Sequence, residues 1–283
     1  MSDRVLFSGS LFTVAEFTCP PADAAWNELN EIGDSPIVAF PRVPVAIRLS
    51  HGEHVLATPN LAMLYNPGQL YERELRSDRG DECLFVRLHA PALEALERDG
   101  GAVRHGRMVV THAPASRLTY FHQYLLSRYL HGGVPDALLV EETTLRLLGG
   151  VVPSATEASR LRRHETASSH RRLAEDAQEL IAATVDENLS LEAIATRLGS
   201  SPFHLARVFR RETGFSLHDY RKQLRLRLAL GQLPDSGGTL SALALGLGFA
   251  SHSHFTDTFR REFGVAPSVV RDARHVPALL AAA

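Results

Sequence analysis

Between residues 5 and 88, apolar and polar side chains alternate in short runs broken by turn residues, which is the period-2 signature of half-buried strands. Val45-Ala46-Ile47-Arg48-Leu49 alternates strictly, Ile37-Val38-Ala39-Phe40 runs into Pro41, and Ala62-Met63-Leu64-Tyr65 stops at Asn66-Pro67-Gly68. Tyr71, Arg73 and Leu75 fall on one face of a strand, with Glu72, Glu74 and Arg76 on the other. Ser77–Asp81 reads as a turn, and Leu84–Leu88 as the strand that follows it. Many short strands at this spacing predict a sandwich or a barrel, and the pattern does not choose between them. From residue 116 the period changes. Leu118, Phe121, Leu125 and Tyr129 recur every three or four residues and stop at Gly132-Gly133; Ala137–Val151 carries Leu138, Leu145 and Leu148. Apolar periodicity lapses over residues 153–170, which reads as a linker. From Arg171 onward helical stripes return, first as Leu173, Ala177, Leu180, Ile181 and Val185, later as Tyr220, Leu224 and Leu228. The expectation is an α+β chain, with a β domain plus two helices over 1–152 and an all-α domain over 171–275.

The all-α region contains an internal repeat. Glu192–Gly199 aligns with Ser241–Gly248 at an offset of 49, and Leu205–Gly214 aligns with Phe255–Gly264 at an offset of 50. Each copy has the anatomy of a helix-turn-helix. Small or apolar residues (Ile194, Ala195 and Leu198; Leu243, Ala244 and Leu247) face inward from a short helix. Gly199 and Gly248 allow the turn, Ser201 and Ser251 are placed to cap the second helix, and Gly214 and Gly264 end it. Leu205 and Phe209, like Phe255 and Phe259, sit four apart as anchors. Helical spacing then places Phe203, Ala206, Arg207 and Arg210 in one outward stripe; Ser253, Thr256, Asp257 and Arg260 form its counterpart, with His252 at the N-terminal end. Such a helix can enter a major groove, where arginine reads guanine and Ser, Thr or His reaches base edges or phosphate. Arg211 and Arg261, on the flanks, suit phosphate contacts.

Charge changes this picture little. The whole chain carries a formal net charge of −2, while the segment from Ser168 onward holds 14 Lys+Arg against 12 Asp+Glu. Phosphate binding needs local cationic surface rather than a basic protein, so the arginine stripes matter more than the total. No apolar run approaches the roughly 20 residues needed to span a bilayer, so no membrane partner is expected. The first residues do not form a signal-peptide core, and two cysteines, Cys19 and Cys83, supply no disulfide framework. Cytoplasmic residence is the simplest expectation.

In the β region, Arg42, Tyr65, Tyr71 and Arg73 are the candidates for a small-molecule pocket, since arginine and tyrosine offer directed donors to a carboxylate or carbonyl within apolar walls. The rival is a metal site drawn from His51, His54, His89, Cys19 and Cys83. His51 and His54 fall in a hairpin where polar residues belong anyway, and no compact ligand motif is present, so no metal and no cofactor is expected. Three functions follow from these readings: a DNA-binding regulator, a metal-dependent enzyme with appended helices, and an architectural DNA binder without effector.

At Arg207-Val208-Phe209-Arg210-Arg211-Glu212-Thr213-Gly214, Tyr220, Arg225-Leu226, Gly248-Phe249-Ala250-Ser251-His252-Ser253-His254-Phe255 and Phe263-Gly264-Val265-Ala266-Pro267, the chain resembles the DNA-binding domain of AraC/XylS regulators. The match covers roughly 100 residues. It implies a two-lobed reader whose recognition helices enter successive major grooves of double-stranded DNA, no enzymatic turnover, and RNA polymerase as a further partner; the two amphipathic helices over Ser116–Val151, with Leu125 in their stripe, expose a face that a second copy could cover, so a homodimer through them is expected. Phe40-Pro41-Arg42, Tyr65–Gln69 and Gly80-Asp81 resemble the cupin-like β-barrel sensing domain that many members carry, which implies a small-molecule effector. Asp257 departs from the family, which often has a basic residue there. A carboxylate is repelled by phosphate yet can accept from cytosine.

Overall fold

A computed structural model of the chain describes residues 1–50, 52–98, 103–161, 168–233 and 239–282. Contacts divide it into two units, Met1–Leu161 with Asp272–Ala283, and Arg162–Arg271.

The first unit is built on antiparallel strands: β1 (Ser2–Ser8), β2 (Phe12–Cys19), β3 (Leu29–Glu31), β4 (Ile37–Pro41), β5 (Val45–Leu49), β6 (His54–Ala57), β7 (Leu61–Tyr65), β8 (Leu70–Leu75), β9 (Asp81–Leu88), β10 (Val103–Arg104), β11 (Arg107–Met108) and β12 (His112–Pro114). They form a six-stranded sheet in the order β1-β2-β9-β4-β7-β12, a four-stranded sheet in the order β3-β8-β5-β6, and the small β10-β11 pair. The expected barrel is therefore open: the chain passes from β6 to β7 through Thr58-Pro59-Asn60 and changes sheets without pairing the two strands. The sheets face one another across a core of Ala15, Ile32, Ala39, Val45, Ile47, Leu49, Val55, Met63, Tyr65 and Phe85. In β5 the alternation is as the sequence reads, with Val45, Ile47 and Leu49 buried and Arg48 exposed. In β4 and β7 both faces are buried, which is why those strands read as apolar runs. On the larger sheet, α2 (Arg117–His131) packs against β1 and α3 (Ala137–Leu161) against β12.

Helix α1 (Ala90–Arg98) follows β9, and α2 (Arg117–His131) and α3 (Ala137–Leu161) follow β12. Ser116 caps α2 by accepting from the Thr119 N–H at 3.0 Å. α2 is enclosed almost all round: Tyr120, Phe121, Tyr124, Leu125 and Leu126 are all buried. α3 runs to Leu161, so the first part of the expected 153–170 linker is helix. The apolar stripe ends there, but Ala155, Glu157, Ala158, Arg160 and Leu161 are good helix formers and sustain the backbone. Residues 162–167 of that linker lie outside the described residues.

The second unit begins at α4 (Ser168–Ala183) and continues through α5 (Leu191–Arg197), α6 (Pro202–Thr213), α7 (Leu217–Gln232), α8 (Leu240–Gly246), α9 (His252–Phe263) and α10 (Pro267–Arg271). A last helix, α11 (Val276–Ala282), returns to the first unit and packs on α2, burying Val276 and Leu280. Sequence reading placed residues up to 275 with the DNA reader and assigned nothing beyond; a seven-residue helix with two apolar anchors is too short to show a period. We expect Leu280→Ala, at a position only 1% exposed, to lower the stability of the β unit by about 2–3 kcal/mol in thermal or urea unfolding. An unchanged transition would show that α11 is not held on α2.

Candidate nucleic-acid interface

The two copies of the repeat fold alike because the same local chemistry recurs. Ser190 and Thr239 cap α5 and α8, accepting from the N–H groups of Ala193 at 3.1 Å and Ala242 at 3.2 Å. Ser201 and Ser251 cap α6 and α9, accepting from His204 at 3.2 Å and His254 at 3.1 Å. Gly199 (φ 61°) and Gly248 (φ 75°) make the turns between helices, and Gly214 and Gly264, both at φ 79°, close α6 and α9 with left-handed caps. The extra residue in the second copy is accommodated just after the turn. The Ser200 and Phe249 N–H groups donate to Ala195 and Ala244 carbonyls alike, so the chain lengthens at Ala250. Phe249 is thereby buried against Phe255, ring centroids 5.1 Å apart.

α5 packs on α6 and α8 on α9, with Ile194, Ala195, Leu205, Val208 and Phe209 buried in the first pair and Leu243, Ala244, Leu247, Phe255, Thr258, Phe259 and Phe263 in the second. Leu198, expected inward, is half-buried. With these positions turned in, the opposite faces of α6 and α9 are left outside. Phe203 is 90% exposed, Arg207, Arg210 and Arg211 are exposed, and Ala206 is half-buried beside them. In the second copy Ser251, His252, Ser253, Asp257, Arg260 and Arg261 are exposed and Thr256 is half-buried. Each helix thus presents one continuous outward stripe ending in two arginines. The copies differ in detail: Arg211 donates to His170 Nδ1 at 2.6 Å and pairs with Glu212 at 2.8 Å, whereas no ion pair among the described residues engages Arg261.

Arg225, part of the family-like motif, holds the unit together. Arg225, buried on α7, donates through Nε to the Val185 carbonyl at 2.6 Å and through Nη2 to the Glu187 carbonyl at 2.8 Å. Its Nη1 reaches Asn188 Oδ1 at 3.0 Å and the Gly248 carbonyl at 2.9 Å. The guanidinium therefore ties the end of α4 to the turn of the second helix-turn-helix. Burial lowers its pKa to about 10, which still leaves it a cation at neutral pH. Arginine inside a helix stripe gave no signal of this in sequence, since the same pattern describes a solvated face.

In the first unit, the space between the sheets is a cavity of about 440 Å³ lined by Tyr65, Tyr71, Arg73, Asp81 and Cys83 among apolar side chains. Three of the four effector candidates, Tyr65, Tyr71 and Arg73, are brought together there. Arg42 is not with them. It donates to Glu16 Oε1 and to Ser127 Oγ, each at 2.6 Å, and so clamps the larger sheet to α2. Burial alone would raise the Glu16 carboxyl, but Arg42, Ser127 and His131 outweigh it and hold it below its ordinary value. Burial pushes the thiols of Cys19 and Cys83 up, away from the reactive thiolate. Of the metal candidates, His51 lies outside the described residues, and among the described residues no three His, Cys, Asp or Glu side chains are grouped to hold an ion.

Two helix-turn-helix pairs on one connecting helix, each with an arginine-ended stripe outward, define a double helix-turn-helix DNA reader. Residues 194–273 match the family model described as a helix-turn-helix domain. The regulatory protein SoxS of Escherichia coli K12 is 35% identical over 107 residues, which cover 38% of this chain and 97% of SoxS. The multiple antibiotic resistance protein MarA of Salmonella typhimurium is 36% identical over 87 residues, covering 31% of this chain and 68% of MarA. Among solved structures, a transcriptional regulator of the AraC type from Chromobacterium violaceum is 28% identical, covers 38% of this chain and 96% of its own, and superposes with a TM-score of 0.35. The chain belongs to the AraC/XylS family and is a sequence-specific DNA-binding regulator of transcription. No helix among the described residues is long and apolar enough to cross a membrane.

Proposed function

We propose that this regulator answers to a small-molecule effector bound between the two sheets of the β unit, without turning it over. The observation that supports this reading is the cavity of about 440 Å³ in a unit separate from the DNA reader. Its volume lies in the range of small-molecule sites, and its lining combines apolar walls with a few buried polar groups, as such sites do. A coupling of about 1–3 kcal/mol between cavity and reader would shift DNA affinity roughly 5- to 150-fold.

The test fills the cavity. Ala57→Trp, from β6 into the space between the sheets, should abolish the response of promoter output to any effector while leaving basal DNA binding in place. An effector response that survives the substitution would place the ligand elsewhere. Footprints of the full chain should show protection in two successive major grooves, about 34 Å apart. Protection of one groove would leave the second unit as a positioning element, a role that Asp257 in its stripe would suit.

The regulator works in the cytoplasm as a homodimer on paired DNA sites, with RNA polymerase as its partner at the promoter. Leu125, the residue in the α2 stripe best placed by spacing for a dimer seam, is fully buried within its own unit and cannot serve. Leu138 and Leu145, one heptad apart on α3 and 66% and 47% exposed, form the apolar stripe that remains outside. The double substitution Leu138→Asp with Leu145→Asp should give a folded monomer by sedimentation at micromolar concentration. A dimer that persists would rule out this face.

A further inference from the structure

We infer that the cavity takes an organic acid, its carboxylate seated on Arg73 and its apolar body lying between the sheets. This deepens the effector reading and rests on it.

The side chain of Arg73 is 1% exposed, so its charge must be met inside the protein. What meets it is incomplete. Nη1 reaches Asp81 Oδ2 only at 3.4 Å, longer than the 2.7–2.9 Å typical of a charged pair. Nη2 donates to Asn30 Oδ1 and to the thioether of Met1, both at 3.1 Å, and a thioether is a weak acceptor. Nε has no hydrogen-bond partner among the described residues. Nε and Nη2 share one edge of the guanidinium, the edge that a carboxylate grips with two parallel bonds. That edge is therefore the least satisfied part of a buried cation. The ring of Phe17 lies 4.6 Å from the guanidinium carbon and Trp26 5.8 Å, so aromatic faces hold its plane while its edges stay available.

Asp81 is a poor permanent counter-ion. Burial raises its carboxyl to about 6, and Arg73, the next influence, does not bring it back to the ordinary range. A ligand carboxylate would supply the compensation that Asp81 supplies badly. An amine ligand fares worse, because it would bring a second buried cation to Arg73. The rest of the ligand meets Ile37, Val45, Ile47, Met63 and Phe85, which offer apolar contact area; Asn30, Tyr65 and Tyr71 also line the cavity, as do the exposed Asp3, Glu28 and Glu31. Arg87 also lines the cavity and stacks over Phe85 at 5.6 Å, which leaves room for a second acidic group.

The experiment titrates the full chain by calorimetry with matched trios: octanoate, octanamide and octanol, and cyclohexanecarboxylate with its amide and alcohol. Each acid should bind about 10-fold or more tightly than its amide, the gain expected for a charged bidentate pair over a neutral one. Asp81→Asn should tighten the acids further by removing the competing carboxylate, and Arg73→Lys should erase the preference for acid. Equal binding of acid, amide and alcohol, or weakening of the acids by Asp81→Asn, would overturn the organic-acid assignment while leaving the cavity as an effector site. If no trio member binds, the assignment falls; if the Ala57→Trp chain also retains a full effector response, the cavity reading falls with it. Should Asp81→Asn or Arg73→Lys fail to fold, the trios on the unaltered chain decide alone.

Discussion

Replacing Arg225 by alanine should cost the DNA-binding unit about 3–5 kcal/mol and abolish binding to every DNA sequence tested. The guanidinium satisfies the carbonyls of Val185, Glu187 and Gly248, and Asn188 Oδ1 as well. Alanine would remove the Arg225 donor from all four acceptors, leaving the Gly248 carbonyl only Asn188 Nδ2 at 3.3 Å, and each buried group so orphaned costs about 1–3 kcal/mol. The effect reaches the second helix-turn-helix because Gly248 cannot substitute for the lost tie. A Cβ at that position would stand 2.2 Å from the Asp186 carbonyl oxygen and 2.5 Å from Arg225 Nη2, and its φ of 75° already disfavours any other residue. Arg225→Lys should recover only part of the loss, since one ammonium cannot reach acceptors spread around a fork. Denaturant unfolding, read beside a binding assay, separates this from a contact residue. A folded Arg225→Ala chain that has lost only affinity would mean that the arginine touches DNA.

How much of this was legible in the sequence depended on whether the signal was local. Caps, turn glycines and anchors of the repeat are set by neighbours within a few residues, so Ser201, Ser251, Gly199, Gly248, Phe209 and Phe259 could be read as they stand in the fold. The outward stripes followed by elimination, once the anchors faced inward. The β region was legible as strands but not as a topology. Strands β4 and β7 are apolar and buried on both faces, which no alternation in their sequence announces. Leu125 illustrates the same limit: spacing put it on an apolar stripe, but α11, more than 140 residues later in the chain, belongs to the helical layer that encloses α2. Arg42, in the bend after β4, and Arg73, in β8, carry no sequence mark that tells them apart. One clamps a helix to a sheet and the other lies between the sheets, because which face of a strand is inside is decided by partners distant in sequence.

At the DNA surface, Arg207→Ala should weaken the best site by about 1–3 kcal/mol, roughly 5- to 150-fold, and relax preference at one base pair. Arg207 is exposed mid-stripe on α6, and among the described residues its Nη2 approaches only His204 Nδ1, at the outer limit of 3.5 Å. Its fork is therefore open to a guanine edge, and losing it removes a contact that only one base offers. Arg261→Ala should act differently. It flanks the stripe of α9 with no ion pair among the described residues, the position of a phosphate contact, so its loss should weaken all sequences alike and reduce the salt slope by about 1. Arg211 is the informative third. It occupies the matching place on α6 but is already held by His170 and Glu212, so to meet a phosphate it must give up a charged partner that Arg261 does not have. Arg211→Ala should accordingly change the salt slope less than Arg261→Ala does. Affinities of the three variants across a salt series, each on the best site and on a site altered at single base pairs, check all three statements. Identical slopes for Arg207→Ala and Arg261→Ala would contradict the division between base reading and phosphate contact, and a larger slope change at Arg211 than at Arg261 would show that its pairing with Glu212 does not persist on DNA.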